Sequence, residues 1–235
     1  MNSSEKHISP KVVRRPKYWA RGMEYAKELG IEGEAELLKF CAEGRGDTSE
    51  RGIACLALGC FEYKPAVPAL LKLADDDDLS LVINATRALE MIGSLRAVRP
   101  MMSLANDATR VEVRNRAIDV LGTLGDERAE ELLVRILSGP SEAESTRVCA
   151  AEALGGLRRH SDSAVACLLS VLREQSALLR WTALNSLGII GDRTTIPAIQ
   201  SCLLDQEIVA QLPSKRTVAS AAENALRNPK VCAEA

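Results

Sequence analysis

A short motif recurs along almost the whole chain and limits the folds that are open to it. Its best copy spans residues 113–137, where two amphipathic stretches are separated by Gly125-Asp126. The end of the first stretch occurs in seven copies along the chain, and successive copies are 29, 31, 32, 33, 33 and 39 residues apart. A period near 30 that persists in this way predicts a solenoid, in which each repeat packs on the next. Each of these ends is a three-residue segment, such as Val-Leu-Gly at residues 120–122. The third residues of the segments align and are Gly30, Gly59, Glu90, Gly122, Gly155, Gly188 and Arg227.

The composition indicates that the repeating unit is helical. Hydrophobic residues make up 46% of the 235-residue chain and aromatic residues only 3%, and the apolar positions are mostly Ala and Leu, which favour helices over strands. Gly125 follows a helical stretch and is expected to close it in the left-handed conformation. An insertion is predicted around residues 207–214, where the spacing lengthens. We predict six helix pairs near residues 18–43, 48–74, 78–104, 110–138, 142–174 and 177–204, and a final helix near 214–227.

The motif resembles a known repeat family. The pattern V-R-x-x-A-x-x-x-L-G-x-L-G-D-x-x-A-x-x-x-L fits residues 113–133 best, then 179–199, 148–168 and 51–70. It is similar to the short HEAT-like repeats first described in phycobilisome lyases. The resemblance implies an all-α, right-handed solenoid over residues 17–235. Residues 1–16 carry basic residues and two prolines without an apolar period, and are expected to form a mobile basic arm.

Arg51, Arg114, Arg147 and Arg180 stand eight residues before the aligned Gly in four repeats. A regular row of arginines could bind anions. Because bidentate arginine pairs suit carboxylates and helix-end carbonyls, we interpret the row instead as structural links within or between repeats.

Several classes of chemistry are excluded by the residues that are present. The resemblance raises deoxyhypusine hydroxylase, a HEAT-like enzyme that holds two irons with repeated His-Glu pairs, but only His7 and His160 occur and neither is followed by Glu. No Gly-rich phosphate loop is found. We therefore predict no catalytic, metal-binding or cofactor-binding residues. A specific site is expected where the repeat copies differ, since recurring residues serve the fold.

The function predicted from the sequence is a non-catalytic scaffold that binds an unidentified protein partner. In HEAT-like solenoids the second helices are expected to line the concave face. Their outward positions form a mixed polar surface without aromatic anchors. The predicted partner-binding residues on this surface are Lys72, Arg99, Glu131, Arg135, Arg173 and Gln200.

Two other functions stay open at this point. The resemblance implies a bilin-lyase-type subunit, one of two partners that deliver or remove a linear tetrapyrrole, although the low aromatic content argues against a bilin pocket. Nucleic acid could bind near the N-terminus through Arg14, Arg15, Lys17, Tyr18, Trp19 and Arg21. The formal net charge of −2 argues against it.

The cysteines and the hydropathy indicate a cellular location. Seven cysteines, an odd number without a Cys-x-x-Cys pair, favour a reducing compartment. No apolar run reaches the roughly 20 residues of a membrane span, and no apolar segment typical of a signal peptide follows the N-terminus. A soluble, cytoplasmic protein without a membrane partner is expected, and the sequence leaves its oligomeric state open.

Overall fold

The computed structural model of the protein describes residues 19–212 and 216–228. The predicted arm at residues 1–16 lies outside them, as do Lys17 and Tyr18 of the possible nucleic-acid site. In the described residues the chain forms thirteen α-helices, arranged as six pairs and a final helix, which confirms the predicted all-α solenoid. The helices are α1 Trp19–Glu28, α2 Glu34–Ala42, α3 Thr48–Cys60, α4 Val67–Leu73, α5 Leu79–Ile92, α6 Val98–Asp107, α7 Val111–Leu124, α8 Glu130–Ser138, α9 Glu144–Gly156, α10 Asp162–Val171, α11 Ala177–Ile190, α12 Ile196–Ser201 and α13 Val218–Arg227.

The turn between α7 and α8 shows how the motif makes a helix pair. Gly125 has φ 65° and its N–H donates to the Leu121 carbonyl at 3.1 Å, which closes α7 as predicted. The Asp126 side chain then accepts from the Arg128 N–H at 3.0 Å. This bond starts the short 3-10 turn Glu127–Ala129 that leads into α8. The chain therefore reverses between two helices within a few residues.

The helices form two layers around one continuous apolar core. We call α1, α3, α5, α7, α9, α11 and α13 the first helices, and α2, α4, α6, α8, α10 and α12 the second helices. The core lies between the layers and includes fully buried leucines from both, such as Leu121 of α7 and Leu133 of α8. Burial of each such side chain stabilises the fold by about 1.5–3 kcal/mol.

The first helices pack directly on one another. A Cβ added at Gly122 of α7 would lie 2.7 Å from Cα of Ala153 on α9, so the two backbones touch. The same close approach joins Gly59 to Ala88, Gly155 to Ser186 and Gly188 to Ala225. The second helices, in contrast, contact their neighbours at few positions. Because the more closely spaced layer of a curved stack is the inner one, the first helices line the concave face. The assignment of that face to the second helices from sequence was wrong.

The recurring arginines link neighbouring repeats. Arg114 donates from Nε to the Ala105 carbonyl at 3.0 Å and from Nη2 to Oε1 of Glu142 in the next repeat at 2.9 Å. This geometry confirms the structural interpretation of the row. Ion pairs of the same kind join Arg51 to Asp76, Arg147 to Glu174, and Arg180 to both Asp205 and Glu207.

The predicted insertion lies between α12 and α13. Ile208 and Thr217 form an isolated antiparallel bridge, and the Val209 N–H donates to the Arg216 carbonyl at 2.8 Å. Arg180, only 7% exposed, holds the base of the insertion through Asp205 at 2.9 Å. In the part of the chain that the structure describes, no helix has the length and apolar character needed to cross a membrane.

Candidate functional site on the concave face

The six residues predicted to bind a partner lie on the second-helix layer, and all are exposed. Lys72 lines a cavity of about 520 Å³ with Leu38 and Pro68, and none of the other five lines it. Arg135 donates from Nη2 to Oδ1 of Asn106 at 2.6 Å, so it links α8 to α6. The residues therefore share one layer without converging on one cavity. That they contact a partner stays a prediction. Their positions are Lys72 on α4, Arg99 on α6, Glu131 and Arg135 on α8, Arg173 just after α10, and Gln200 on α12.

The solvent-facing side of the first helices is where the repeat copies differ most in chemistry. Two positions recur there, counted from the aligned residue of each repeat (Gly59, Glu90, Gly122, Gly155, Gly188 and Arg227), which we call the anchor. One lies three residues before the anchor and the other directly after it. Residues four apart on a helix share a face, so each pair forms part of one surface. The first position is occupied in turn by Leu56, Arg87, Asp119, Glu152, Asn185 and Asn224, and the second by Cys60, Met91, Thr123, Gly156 and Ile189.

A basic cleft lies on this face at α1, α3 and α5. Its volume is about 300 Å³. The Arg21 guanidinium carbon lies 5.7 Å from the centre of the Tyr25 ring, within the range of a cation–π contact. Burial raises the pKa of the Cys60 thiol, which the charge of Arg21 partly offsets. We call this the arginine cleft, and its lining residues are Arg21, Tyr25, Leu56, Cys60, Arg87 and Met91.

Between α5 and α7 the concave face carries a charged cluster. Glu90 stands where most repeats have the aligned glycine. Nη2 of Arg116 donates a hydrogen bond to Oε1 of Glu90 at 3.3 Å. Arg116 also donates to Oδ2 of Asp119 at 2.9 Å and to Oγ1 of Thr86 at 3.4 Å. Burial raises the pKa of Glu90 and of Asp119 above their usual values, although the Arg116 charge opposes the shift. Both carboxyl groups are therefore easier to protonate than exposed ones.

A second cleft, of about 400 Å³, lies beyond this cluster on α7 and α9. Burial and the charge of Asp119 raise the pKa of the Cys149 thiol to about 12. Burial, followed by the charge of Asp119, raises the pKa of Glu152. We call this the acidic cleft, and its lining residues are Asp119, Gly122, Thr123, Cys149, Glu152, Ala153 and Gly156.

The side chains on this face suit binding and proton exchange better than nucleophilic or metal chemistry. The Cys149 thiol is protonated near neutral pH, so it is a poor nucleophile. His160 lies in a loop, where Nε2 donates to the Leu154 carbonyl at 2.8 Å. Across residues 19–212 and 216–228, no group of three or more His, Cys, Asp or Glu side chains is arranged to hold a metal ion. The concave face therefore offers cations at one end and protonatable carboxyl groups further along.

Comparison with known proteins gives a family match over most of the chain. Residues 34–122 and 141–227 match the HEAT repeats family, and residues 113–139 match the PBS lyase HEAT-like repeat. A designed armadillo repeat protein in complex with the peptide (KR)4 is 16% identical with a TM-score of 0.54. That match covers 84% of this chain and 99% of the designed one. At that identity the likeness concerns the fold alone.

Two curated relatives carry a more specific similarity. The bilin biosynthesis protein PecE of Mastigocladus laminosus is 31% identical over 147 residues, covering 62% of this chain and 53% of PecE. PecE of Nostoc sp. (strain PCC 7120 / SAG 25.82 / UTEX 2576) is 28% identical over 162 residues, covering 68% and 59%. The chain thus spans little more than half the length of the curated relatives that it matches.

These relatives overturn the function predicted first from the sequence. The main prediction was a non-catalytic scaffold, and the similarity to PecE supports the alternative of a bilin-lyase-type subunit instead. The prediction failed because it relied on the recurring motif, which specifies helix packing and is shared by proteins of many functions. The motif consists of the positions that the repeats share, so it holds no information about the positions at which they differ.

Proposed function

The chain belongs to the HEAT-repeat family, and from that premise we propose that it acts as a bilin-lyase-type subunit, which handles a linear tetrapyrrole during its attachment to or removal from a phycobiliprotein. The observation that carries this proposal is the 31% identity to PecE over 147 residues. The fold by itself assigns no activity. The proposal therefore depends on the relatives, and the chemistry of the concave face supports it.

The groups on the concave face complement those of a linear tetrapyrrole. Such a molecule carries carboxylates, pyrrole nitrogens and a long conjugated, mostly apolar body. Arg87 and Asp119 occupy equivalent positions in neighbouring repeats, so a cation and a carboxyl group line the two clefts of the same face. Guanidinium groups pair with carboxylates. Carboxyl groups whose pKa is raised accept hydrogen bonds from N–H groups and exchange protons with them.

In this proposal the protein binds and orients the bilin without a covalent intermediate of its own. The Cys149 thiol stays protonated beside Asp119, so the protein holds the chromophore while a thiol of the phycobiliprotein reacts. The bilin is the substrate, and no resident cofactor is required. The low aromatic content does not exclude this role, because charged groups rather than stacked rings would fix the ligand.

A protein partner follows from the same proposal. A subunit that delivers a chromophore must contact the phycobiliprotein that receives it, and the resemblance implies a second lyase subunit as well. The exposed polar residues of the second helices, among them Arg99 and Glu131, are free to serve such contacts while the concave face holds the bilin. We also propose a cytoplasmic location, supported by the odd cysteine count.

The experiment that tests the function is co-expression with a phycobiliprotein subunit in cells that make a bilin. We expect more covalent chromophore on the phycobiliprotein than in cells without this chain, measured as zinc-enhanced fluorescence on a denaturing gel. Asp119→Lys should reduce both the gain and the bilin that co-purifies with the chain, whereas Glu131→Lys, a matched change on the second helices, should leave the co-purified bilin unchanged. Equal chromophore content with and without the chain, together with a colourless purified chain, would contradict the proposal.

A further inference from the structure

We propose that the arginine cleft is a carboxylate-binding subsite, in which Arg21 and Arg87 pair with the acid groups of an elongated, mostly apolar ligand. This rests on the proposed function in one respect, the identity of the ligand as a linear tetrapyrrole with propionate side chains. The subsite itself is argued from the charges, the walls and the surroundings of the cleft.

Neither guanidinium group of the cleft forms an ion pair within the described residues. Arg21 and Arg87 are both exposed, and the charge of Arg87 acts on Glu90 from beyond ion-pair distance. Arg116, on the same face one repeat further on, is paired with both Glu90 and Asp119. Two unpaired cations that line one cleft form an attractive site for an anion, since their repulsion is relieved when a negative charge binds.

The walls of the cleft define the rest of the ligand. Tyr25, Leu56 and Met91 supply a ring, a branched side chain and a polarisable thioether, so the surface between the cations is apolar. A volume of about 300 Å³ is at the lower end for a small-molecule site. The cleft therefore holds one end of a larger ligand, and the remainder extends along the concave face. Free inorganic anions lack the apolar part that these walls would contact.

The position of Arg21 is set by close helix packing. A Cβ on the next residue, Gly22, would lie 2.8 Å from Cε1 of Phe61 and 3.0 Å from Cβ of Cys60. The backbone of α1 thus rests against the end of α3. Arg21 also lies over the Tyr25 ring. Its guanidinium is partly ordered before a ligand arrives, which lowers the entropic cost of binding.

The surroundings of the cleft give the bound ligand a direction. Beyond Arg87 the same face carries three carboxyl groups, those of Glu90, Asp119 and Glu152, against the single cation Arg116, so acidic groups are in excess there. Carboxylates of a ligand are repelled there, whereas pyrrole N–H groups are accepted. The acid groups of a tetrapyrrole therefore lie at the α1–α5 end, and its nitrogen-bearing body points toward α7 and α9.

The test is a titration of the full chain with biliverdin, a linear tetrapyrrole with two propionates, followed by visible absorbance. Arg21→Met and Arg87→Met keep an unbranched, flexible stem and remove the charged guanidinium group. Each should raise the Kd about tenfold, the effect expected from loss of one charge-assisted pair. Biliverdin dimethyl ester should bind the unchanged chain as weakly as biliverdin binds a variant that carries both Arg21→Met and Arg87→Met. Arg99→Met, on the second helices, should bind like the unchanged chain, and thermal unfolding checks that each variant is folded.

The outcomes separate this inference from the proposed function. If biliverdin binds but neither the arginine variants nor esterification weakens it, the arginine cleft is not the carboxylate subsite, and the proposed function is unaffected. If the unchanged chain binds neither biliverdin nor its ester, both fail. Weakened binding of biliverdin in the two variants, with no effect of either change on the ester, supports the subsite.

Discussion

Replacement of Gly122 by Ala tests the close packing that forms the concave layer. The new Cβ would lie 2.7 Å from Cα and 3.0 Å from Cβ of Ala153. Ordinary contacts are near 3.5–4.0 Å, so α7 and α9 must separate by roughly 1 Å. Such overpacking costs about 1–3 kcal/mol, and a clash with backbone, as here, lies in the upper part of that range at about 2–3 kcal/mol. The better helix propensity of Ala recovers about 1 kcal/mol. We expect a net loss of about 1–2 kcal/mol in the free energy of unfolding.

The assay is thermal and urea unfolding followed by far-UV circular dichroism. For a chain of this size, the expected loss lowers Tm by about 2–8 °C. Gly52→Ala is the matched control, because its new Cβ meets the Nδ2 atom of Asn84 at 2.5 Å, at the flexible end of a side chain that can move. That variant should be neutral or slightly more stable. A Gly122→Ala protein at least as stable as the unchanged one would refute the direct contact of α7 on α9.

Three further predictions follow from individual residues. Gly125→Val should lower the free energy of unfolding by about 3 kcal/mol in urea titrations, because a β-branched residue is forced to φ 65° and its Cβ lies 3.0 Å from the Gly156 carbonyl oxygen. Asp119→Asn should lower the pKa of the Cys149 thiol and speed its alkylation by iodoacetamide at about pH 8.5, because a neighbouring negative charge is removed. Asp126→Asn should lower Tm at neutral pH. Hydrogen bonds from Arg128 lower the pKa of Asp126 to about 2, so its stabilisation is present above the unfolded pKa of about 3.9 and is lost as the pH falls toward 2.

Each of these predictions has an outcome that contradicts it. An unchanged unfolding curve for Gly125→Val would show that the left-handed cap is misplaced. The alkylation rate of Cys149, followed by peptide mass spectrometry, should rise less in Glu152→Gln, whose charge affects Cys149 less than that of Asp119. An equal or larger rise of the alkylation rate in Glu152→Gln would show that Asp119 is not the main charge acting on the Cys149 thiol. A Tm difference for Asp126→Asn that persists unchanged at pH 2 would show that the carboxylate charge is not its source.

The sequence predicted the helices well because local chemistry determines them. Gly125 ends α7 and Asp126 starts the following turn, and both effects act over a few residues. The inner layer was assigned wrongly because both layers are amphipathic, so patterning does not distinguish them. The distinguishing signal was present in Gly59, Gly122 and their equivalents. These glycines allow backbones to touch and so identify the inner layer, which the repeat period alone does not.

The candidate site was harder to predict because it depends on contacts between repeats. Arg21 and Arg87 are far apart in sequence, and they line one cleft only because α1, α3 and α5 stack in order. Likewise, the raised pKa of Asp119 depends on burial that no single repeat provides. The candidate site lies at positions where the repeat copies differ, and the expectation that a specific site is found there stays a prediction. Comparing Arg87 with Asp119 at equivalent positions could have located it.

The most direct test of the central claim compares the two faces of the solenoid in one chromophore-attachment assay. Arg87→Glu with Asp119→Lys reverses charges on the concave face, and Arg99→Glu with Glu131→Lys makes the matched reversal on the second helices. We predict that the first pair of substitutions lowers the amount of bilin attached to the phycobiliprotein at least tenfold. The second pair should leave the amount of bilin bound by the chain itself unchanged. Full attachment by the first pair, with bilin binding lost in the second, would contradict the assignment of the bilin to the concave face.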